Sequence, residues 1–387
     1  MSRPRRLLSI GHSYCVALNR RLAHHIARVG AGEWEVTAVA PSFFRGALRP
    51  VALETYSGEQ CRLEPVSAYF TKHIHVMLYG RRLREIMRGP WDLVHCWEEP
   101  YILAGGQIAW WTPSRRALVY ATFQNISKQY PPPFNWIERY AMRRARGCIA
   151  FGHTAYQTLA RQPHYLDRAR RVIPVGVDVE RFYPDSKAGE QIRRQLGWAA
   201  SEPPVVGYLG RFVTEKGLSF LMSVLDGLSS PWRGLFVGSG PMEKDLREWE
   251  TRQGDRVRVV TGIQHNDVPA YLNAMDVLCA PSQTMPNWRE QLGRMLIEAF
   301  ACGVPVIASD SGEIPYVVLD AGIILGEKDG LGWMRALADV LGDTPHRAEL
   351  SARGIERARS VYAWPVVARQ HLDFFSELLA TPENPRR

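Results

Sequence analysis

Short apolar runs alternate with helix-patterned stretches along this chain, and the whole alternation occurs twice. Residues 7–10, 35–39, 93–96, 118–122, 148–151 and 171–173 read as buried strands. Residues 19–29, 136–146 and 154–161 read as helices between them. This is the pattern of a parallel sheet wrapped by helices, because parallel strands need long crossovers that cover both faces. Residues 173–184 close the series, and polar, linker-like sequence runs on to Pro203-Pro204. The pattern then restarts with strands at 205–209, 234–237, 257–261, 277–280 and 304–308. Helices are expected from Leu218, from Pro241, over 268–274 and over 293–302. The expectation is an α/β fold of two doubly wound, Rossmann-like domains, 1–182 and 183–361. A terminal helix follows within 362–387, where Val367, His371, Phe374, Phe375 and Leu378 recur at helical spacing. Ligands of such sheets bind beyond the carboxyl ends of the strands, so a cleft between the two domains is the expected site.

Composition narrows the class. The six cysteines, at 15, 61, 96, 148, 279 and 302, are scattered with no C-x-x-C pair, which suits free buried thiols in a reducing cytoplasm. No His and Cys spacing suits zinc, and His73 with His75 reads as incidental. No run approaches the roughly 18 apolar residues of a spanning helix, and the apolar stretch after Arg5-Arg6 is too short for a signal peptide. Charge is uneven. Residues 1–200 hold 29 Lys and Arg against 15 Asp and Glu, a net +14, whereas residues 201–387 hold 19 against 24, a net −5. The basic half suits peripheral contact with the anionic inner face of a membrane or an anionic acceptor; a solvated arginine-rich surface is the alternative. No nucleic-acid reader motif accompanies the charge.

Three constellations carry chemistry. In residues 207–217 a strand ends at Gly210, Arg211 and Lys216 follow in a loop, and a helix opens. A guanidinium and an ammonium beside a helix start suit a diphosphate. In the second, Gly238-Ser-Gly240 lies at a strand-to-helix turn and fits a phosphate, a base or a plain turn. Glu243 stands where a dinucleotide-binding motif needs its third glycine, which weakens that rival. The third is the sharpest: Glu290-Gln291-Leu292-Gly293 followed by Glu298 and Gly303-Val-Pro-Val. With Glu290 before a helix and Glu298 inside it, the carboxylates lie on the order of 12 Å apart at about 1.5 Å per residue. The N–H groups of Gln291, Leu292 and Gly293 would lie free at the helix start, and Gly303 suits the C-terminal cap. Glu298 sits among Leu296, Ile297, Ala299 and Phe300, so its carboxylate needs a partner from elsewhere.

On these residues the chain resembles glycosyltransferase family four, whose members have the GT-B fold. The resemblance covers nearly the whole chain and is densest at 207–217, 238–240, 262–281, 288–309 and 174–182. It implies that Arg211 and Lys216 bind the donor diphosphate and stabilise the leaving nucleotide. It implies that Glu298 holds the ribose and that Glu290 contacts the donor sugar, helped by the backbone at Gln291, Leu292 and Gly293. Gly210 and Gly238 would belong to the donor-binding site, and Gly262 with Ile263 would flank the base. It further implies retention of anomeric configuration and no metal, consistent with the lack of an Asp-x-Asp pair in the sequence.

The N-terminal half departs from the family pattern. Gly11-His12 replaces a Gly-Gly loop, His95-Cys-Trp97-Glu98-Glu99-Pro100 replaces His-x-His-Glu-Pro, and Gln124-Asn125 follows where a His-Thr pair is common. His95 is the catalytic candidate on this side, equally readable as a satisfied histidine at a strand end. Gly11, His12, Trp97, Glu98, Gln124, Asn125 and His153 are the acceptor-side candidates. The function expected is transfer of a hexose from a UDP- or GDP-sugar to a glycan, lipid-linked or small-molecule hydroxyl. A GT-B-like epimerase or phosphorylase, and a non-catalytic partner keeping the fold, are the alternatives.

Overall fold

The computed structural model describes residues 3–46, 50–198 and 203–381. The chain divides into two compact units, residues 3–176 with 364–381, and residues 177–363.

The first unit holds a parallel sheet of β1 (Arg5–Ile10), β2 (Trp34–Pro41), β3 (Arg62–Val66), β4 (Leu93–Cys96), β5 (Ala117–Thr122), β6 (Gly147–Ala150) and β7 (Ala169–Val172). Their spatial order is β7-β6-β5-β4-β1-β2-β3. Every residue of β4, β5 and β6 is buried, as expected of strands covered on both faces. β3 was not expected. It is an edge strand with Glu64 and Pro65 in its middle, paired only to β2. Proline fits there because an edge strand has one side free of ladder bonds.

The helix Trp364–Ala380 belongs to this first unit although it ends the chain. It buries Trp364, Val367, His371, Phe374, Phe375 and Leu378. A Cβ on Gly147 of β6 would meet Leu378 at 2.9 Å and Phe374 at 3.0 Å, so a glycine lets the helix lie this close to the sheet. Burying each large apolar side chain contributes about 1.5–3 kcal/mol.

The second unit repeats the plan with β8 (Val205–Arg211), β9 (Arg233–Ser239), β10 (Val257–Val260), β11 (Val277–Ala280), β12 (Val306–Ser309) and β13 (Ile323–Leu325). The order is β10-β9-β8-β11-β12-β13, all parallel. The stretch read as a linker contains the helix Ser186–Gln195, which corrects that expectation. The Asp185 carboxylate caps it by accepting from the Ala188 N–H at 3.1 Å, and Ile192 anchors it.

Each sheet therefore has one point where strand order reverses, between β1 and β4 and between β8 and β11. Chain segments leaving the carboxyl ends of these strands diverge there and leave a crevice. All six cysteines are buried and unpaired, as the sequence led one to expect.

Candidate functional site

In the second unit, the loops after β8 and β11 meet at the reversal point. β8 ends at Arg211, and the Tyr208 hydroxyl donates to the Arg211 carbonyl at 2.8 Å. The Arg211 guanidinium is 55% exposed and lies 3.7 Å from Glu215, so it remains available to an anion. A short 3-10 turn, Thr214–Lys216, then turns Lys216 inward. Gly217 ends that turn at φ +72°, and a Cβ on it would fall 1.8 Å from the Pro281 carbonyl oxygen beyond β11. Only glycine permits both that conformation and that contact.

Lys216 is buried, and its ammonium donates to a carboxylate oxygen of buried Glu290. The same Glu290 oxygen accepts from the Ser282 hydroxyl at 2.9 Å. The indole of Trp288 lies 5.3 Å from the Lys216 nitrogen, a cation–π contact. Glu290 is fixed from behind as well. The Glu313 N–H donates to its carbonyl at 3.0 Å, and a Cβ on Gly312 would sit 2.1 Å from that oxygen. Ser282 and Trp288 precede Glu290 in the segment after β11, and Gly312 follows β12; no spacing in the sequence singles them out, and their role at Glu290 shows only in the fold.

Gly293, at φ +71°, opens the helix Arg294–Ala301, with Leu292 buried beside it. The expectation that the Gln291 N–H lies free is corrected: it donates to the Glu290 carboxylate at 3.3 Å. Glu298 is buried within this helix, and burial pushes its carboxyl up to about 7, with Arg294 and Arg181 drawing it back. Those arginines are the nearby charges that favour its ionised form. Gly210 and Gly238 are direct partners across β8 and β9. Gly262 follows β10 at φ +72°, with Ile263 half-buried beside it.

In the first unit the reversal point is bridged by His12 and Glu98. β1 runs into Gly11, which packs so closely on Trp97 that a Cβ would meet the Trp97 Cβ at 2.9 Å. The His12 backbone N–H and its ring Nδ1 both reach the Glu98 carboxylate at 2.6 Å, and the Tyr79 hydroxyl donates to it too. Burial is the largest influence on Glu98 and favours its neutral form. The His12 charge and the bonds from His12 and Tyr79 together outweigh it and hold the carboxyl below its usual range. The His12 imidazole is shifted upward: burial works against its charged form, but the Glu98 charge, their hydrogen bond and the nearby Glu99 prevail. Neighbouring Glu99 is pushed up to about 7 by burial, although Thr122 and the Phe123 N–H bond to it.

Trp97 is half-buried and lies 4.7 Å from the Phe151 ring. Gln124 and Asn125 are buried after β5, with Gln124 N–H bonded to Thr122 at 3.0 Å, and His153 is exposed as the first residue of the helix His153–Leu159. His95 corrects an expectation. Its ring is fully buried inside β4, 5.6 Å from His371 and 5.2 Å from Phe375 of the terminal helix, and 3.2 Å from Ser9 Oγ. Burial, then His371, keeps it far below 6.5 and neutral. A ring enclosed by the core does not reach a substrate.

Residues 190–357 match the family described as glycosyl transferases group 1, and residues 18–181 match glycosyltransferase family 4. The chain belongs to glycosyltransferase family four. A 2-deoxystreptamine glucosyltransferase of Streptomyces kanamyceticus is 31% identical over 202 residues, 51% of each chain. A relative from Mycolicibacterium smegmatis, named as a GDP-mannose-dependent alpha-(1-6)-phosphatidylinositol monomannoside mannosyltransferase, is 32% identical over 59% of this chain and 58% of its own. The chain thus spans about half to three-fifths of the length of such relatives. Among solved structures, Anabaena HepE in complex with UDP superposes with a TM-score of 0.74 at 19% identity, covering 96% of this chain and 100% of that one. Sucrose-phosphate synthase from Thermosynechococcus elongatus gives 0.72 at 22% identity, covering 97% and 99%. The family-four fold of this chain is GT-B.

Proposed function

We propose that this chain transfers a hexose from a UDP- or GDP-sugar to a hydroxyl of a glycan, lipid-linked or small-molecule acceptor, retaining the anomeric configuration and using no metal. The observation that carries this reading is the buried Lys216–Glu290 pair beside exposed Arg211 at the strand-order reversal of the second unit. Support for the donor class comes from the GDP-mannose-dependent relative and from HepE, which was solved with UDP.

Breaking the bond between the sugar carbon and the diphosphate oxygen leaves one further negative charge to be held on the departing diphosphate. Arg211 and Lys216 are the cations placed to meet it, and positive groups fixed before the reaction cost no reorganisation when charge develops. Glu290, held by the Ser282 hydroxyl and the Gln291 N–H, fixes the Lys216 ammonium in place, and the same carboxylate contacts the donor sugar. Glu298, drawn toward ionisation by Arg294 and Arg181, accepts from the ribose hydroxyls. The acceptor hydroxyl attacks from the face the nucleotide leaves, and its proton passes to the departing diphosphate.

The test is incubation with UDP-glucose or GDP-mannose, an acceptor panel and chelator, followed by nucleotide release and NMR of the product anomer. Retained configuration with chelator present supports the reading. Inverted product, or release that depends on added metal, contradicts it. Interconversion of nucleotide sugars without an acceptor, or release only with inorganic phosphate, would favour an epimerase or a phosphorylase instead.

A further inference from the structure

We propose that the outer face of the helices Leu103–Trp111 and Phe134–Arg144 in the first unit docks on an anionic lipid bilayer. Trp136, Arg139 and Arg143 recur along one stripe of the second of these helices, opposite its buried Glu138, Ala141 and Met142. Trp136 is 62% exposed. On the neighbouring helix, a Cβ on Gly106 would meet the Ile137 side chain at 2.6 Å, so the two helices touch there. Trp110 stands one turn farther along and is 73% exposed. Two indoles this bare on adjacent helices are not explained by the core.

Around the same stripe, Lys128, Arg139, Arg143 and Arg161 line one cavity of about 720 Å³. None of the four forms an ion pair among the described residues. The carboxylate lining that cavity, Glu138, is buried and engaged by the Tyr165 hydroxyl at 2.8 Å and by His164 at 3.6 Å. The face is therefore a concentration of unpaired cations flanked by amphipathic rings, within a half-chain of net charge +14. Indole rings settle at the headgroup level of a bilayer, and Lys and Arg are drawn to anionic lipid. A polyanion without an apolar interior would satisfy the arginines but leave the indoles unused, which selects the bilayer.

The experiment is sedimentation of the full chain with vesicles of phosphatidylcholine alone and with added phosphatidylglycerol, at low and high salt. The expected result is binding to the anionic vesicles at low salt, little to the neutral ones, and weakening as the Debye length shortens. Arg139→Ala with Arg143→Ala should weaken partitioning by roughly 25-fold, at roughly fivefold per arginine. Trp110→Ser with Trp136→Ser, at exposed positions, should also weaken it, and circular dichroism with thermal denaturation checks that both variants are folded. No binding to anionic vesicles at low salt overturns the proposal, whatever the transferase assay gives. So does binding indifferent to the arginine pair. Binding that heparin competes away and that the tryptophan variant leaves unchanged means generic polyanion affinity, and overturns it as well.

Discussion

The Lys216 ammonium is bound to the Glu290 carboxylate inside the second unit, joining the loop after β8 to the segment that opens the Arg294–Ala301 helix. The pair is buried, so removing one partner strands the other. Glu290→Ala is expected to cost about 3–5 kcal/mol of unfolding free energy, measured by urea denaturation. The double variant Lys216→Met, Glu290→Gln should recover a substantial part. A loss in the double variant equal to the sum of the two single losses would mean the two residues are not coupled.

Glu298 gives a pH signature. Its folded carboxyl sits at about 7, raised from 4.5 by burial. The ionised form accepts two hydroxyls best, so nucleotide affinity is expected to fall as pH drops below about 7. Glu298→Gln should bind more weakly near pH 8 and lose most of this dependence. Affinity measured between pH 5.5 and 8.5 in both proteins checks it, with the variant cancelling ionisation of the phosphates.

The His12–Glu98 bridge makes stability depend on pH from both sides. His12 is raised above 6.5, so its contribution is complete below 6.5 and lost as pH rises through the raised value. Glu98 is lowered, so its contribution is complete above 4.5 and lost as pH falls through the lowered value. The gap in stability between wild type and His12→Ala should therefore be widest near pH 6 and shrink toward pH 9. Thermal denaturation across that range measures it.

Gly312 is expected to accept no side chain. A Cβ there meets the Glu290 carbonyl at 2.1 Å and φ is +57°. Gly312→Ala should destabilise by about 1–3 kcal/mol and weaken nucleotide binding by displacing Glu290. Gly342→Ala, where an added Cβ meets nothing within 4 Å, is the control and should leave binding unchanged.

Much of this architecture is legible in the sequence because a buried parallel strand has to be a continuous apolar run. β1 and β11 illustrate it, with Leu7, Leu8 and Ile10 and with Val277, Leu278 and Cys279 all buried. β3 escapes because an edge strand tolerates Glu64 and Pro65. The Ser186–Gln195 helix escapes because it buries little beyond Gly189 and Ile192 and looks solvated throughout. At the site, Arg211, Lys216, Glu290 and Glu298 are readable from spacing and resemblance. Ser282 is not, since a lone serine in a loop carries no signal of its bond to Glu290, and Arg181 is not, since it acts on Glu298 from a segment remote in sequence. His95 shows the opposite failure: the motif position survives, but the ring packs against Phe375 of a helix that returns from the end of the chain.

The central claim is that the second unit holds a nucleoside diphosphate on Arg211 and Lys216. Calorimetric titration of UDP, GDP and ADP, with chelator present, into wild type and Arg211→Ala tests it most directly. The account predicts that UDP or GDP binds without metal and that the variant loses about 1.5–3 kcal/mol, the worth of a charge-assisted hydrogen bond. Failure of every nucleotide to bind would contradict it and put a non-catalytic partner ahead, and equal affinity in the two proteins would contradict the role given to Arg211.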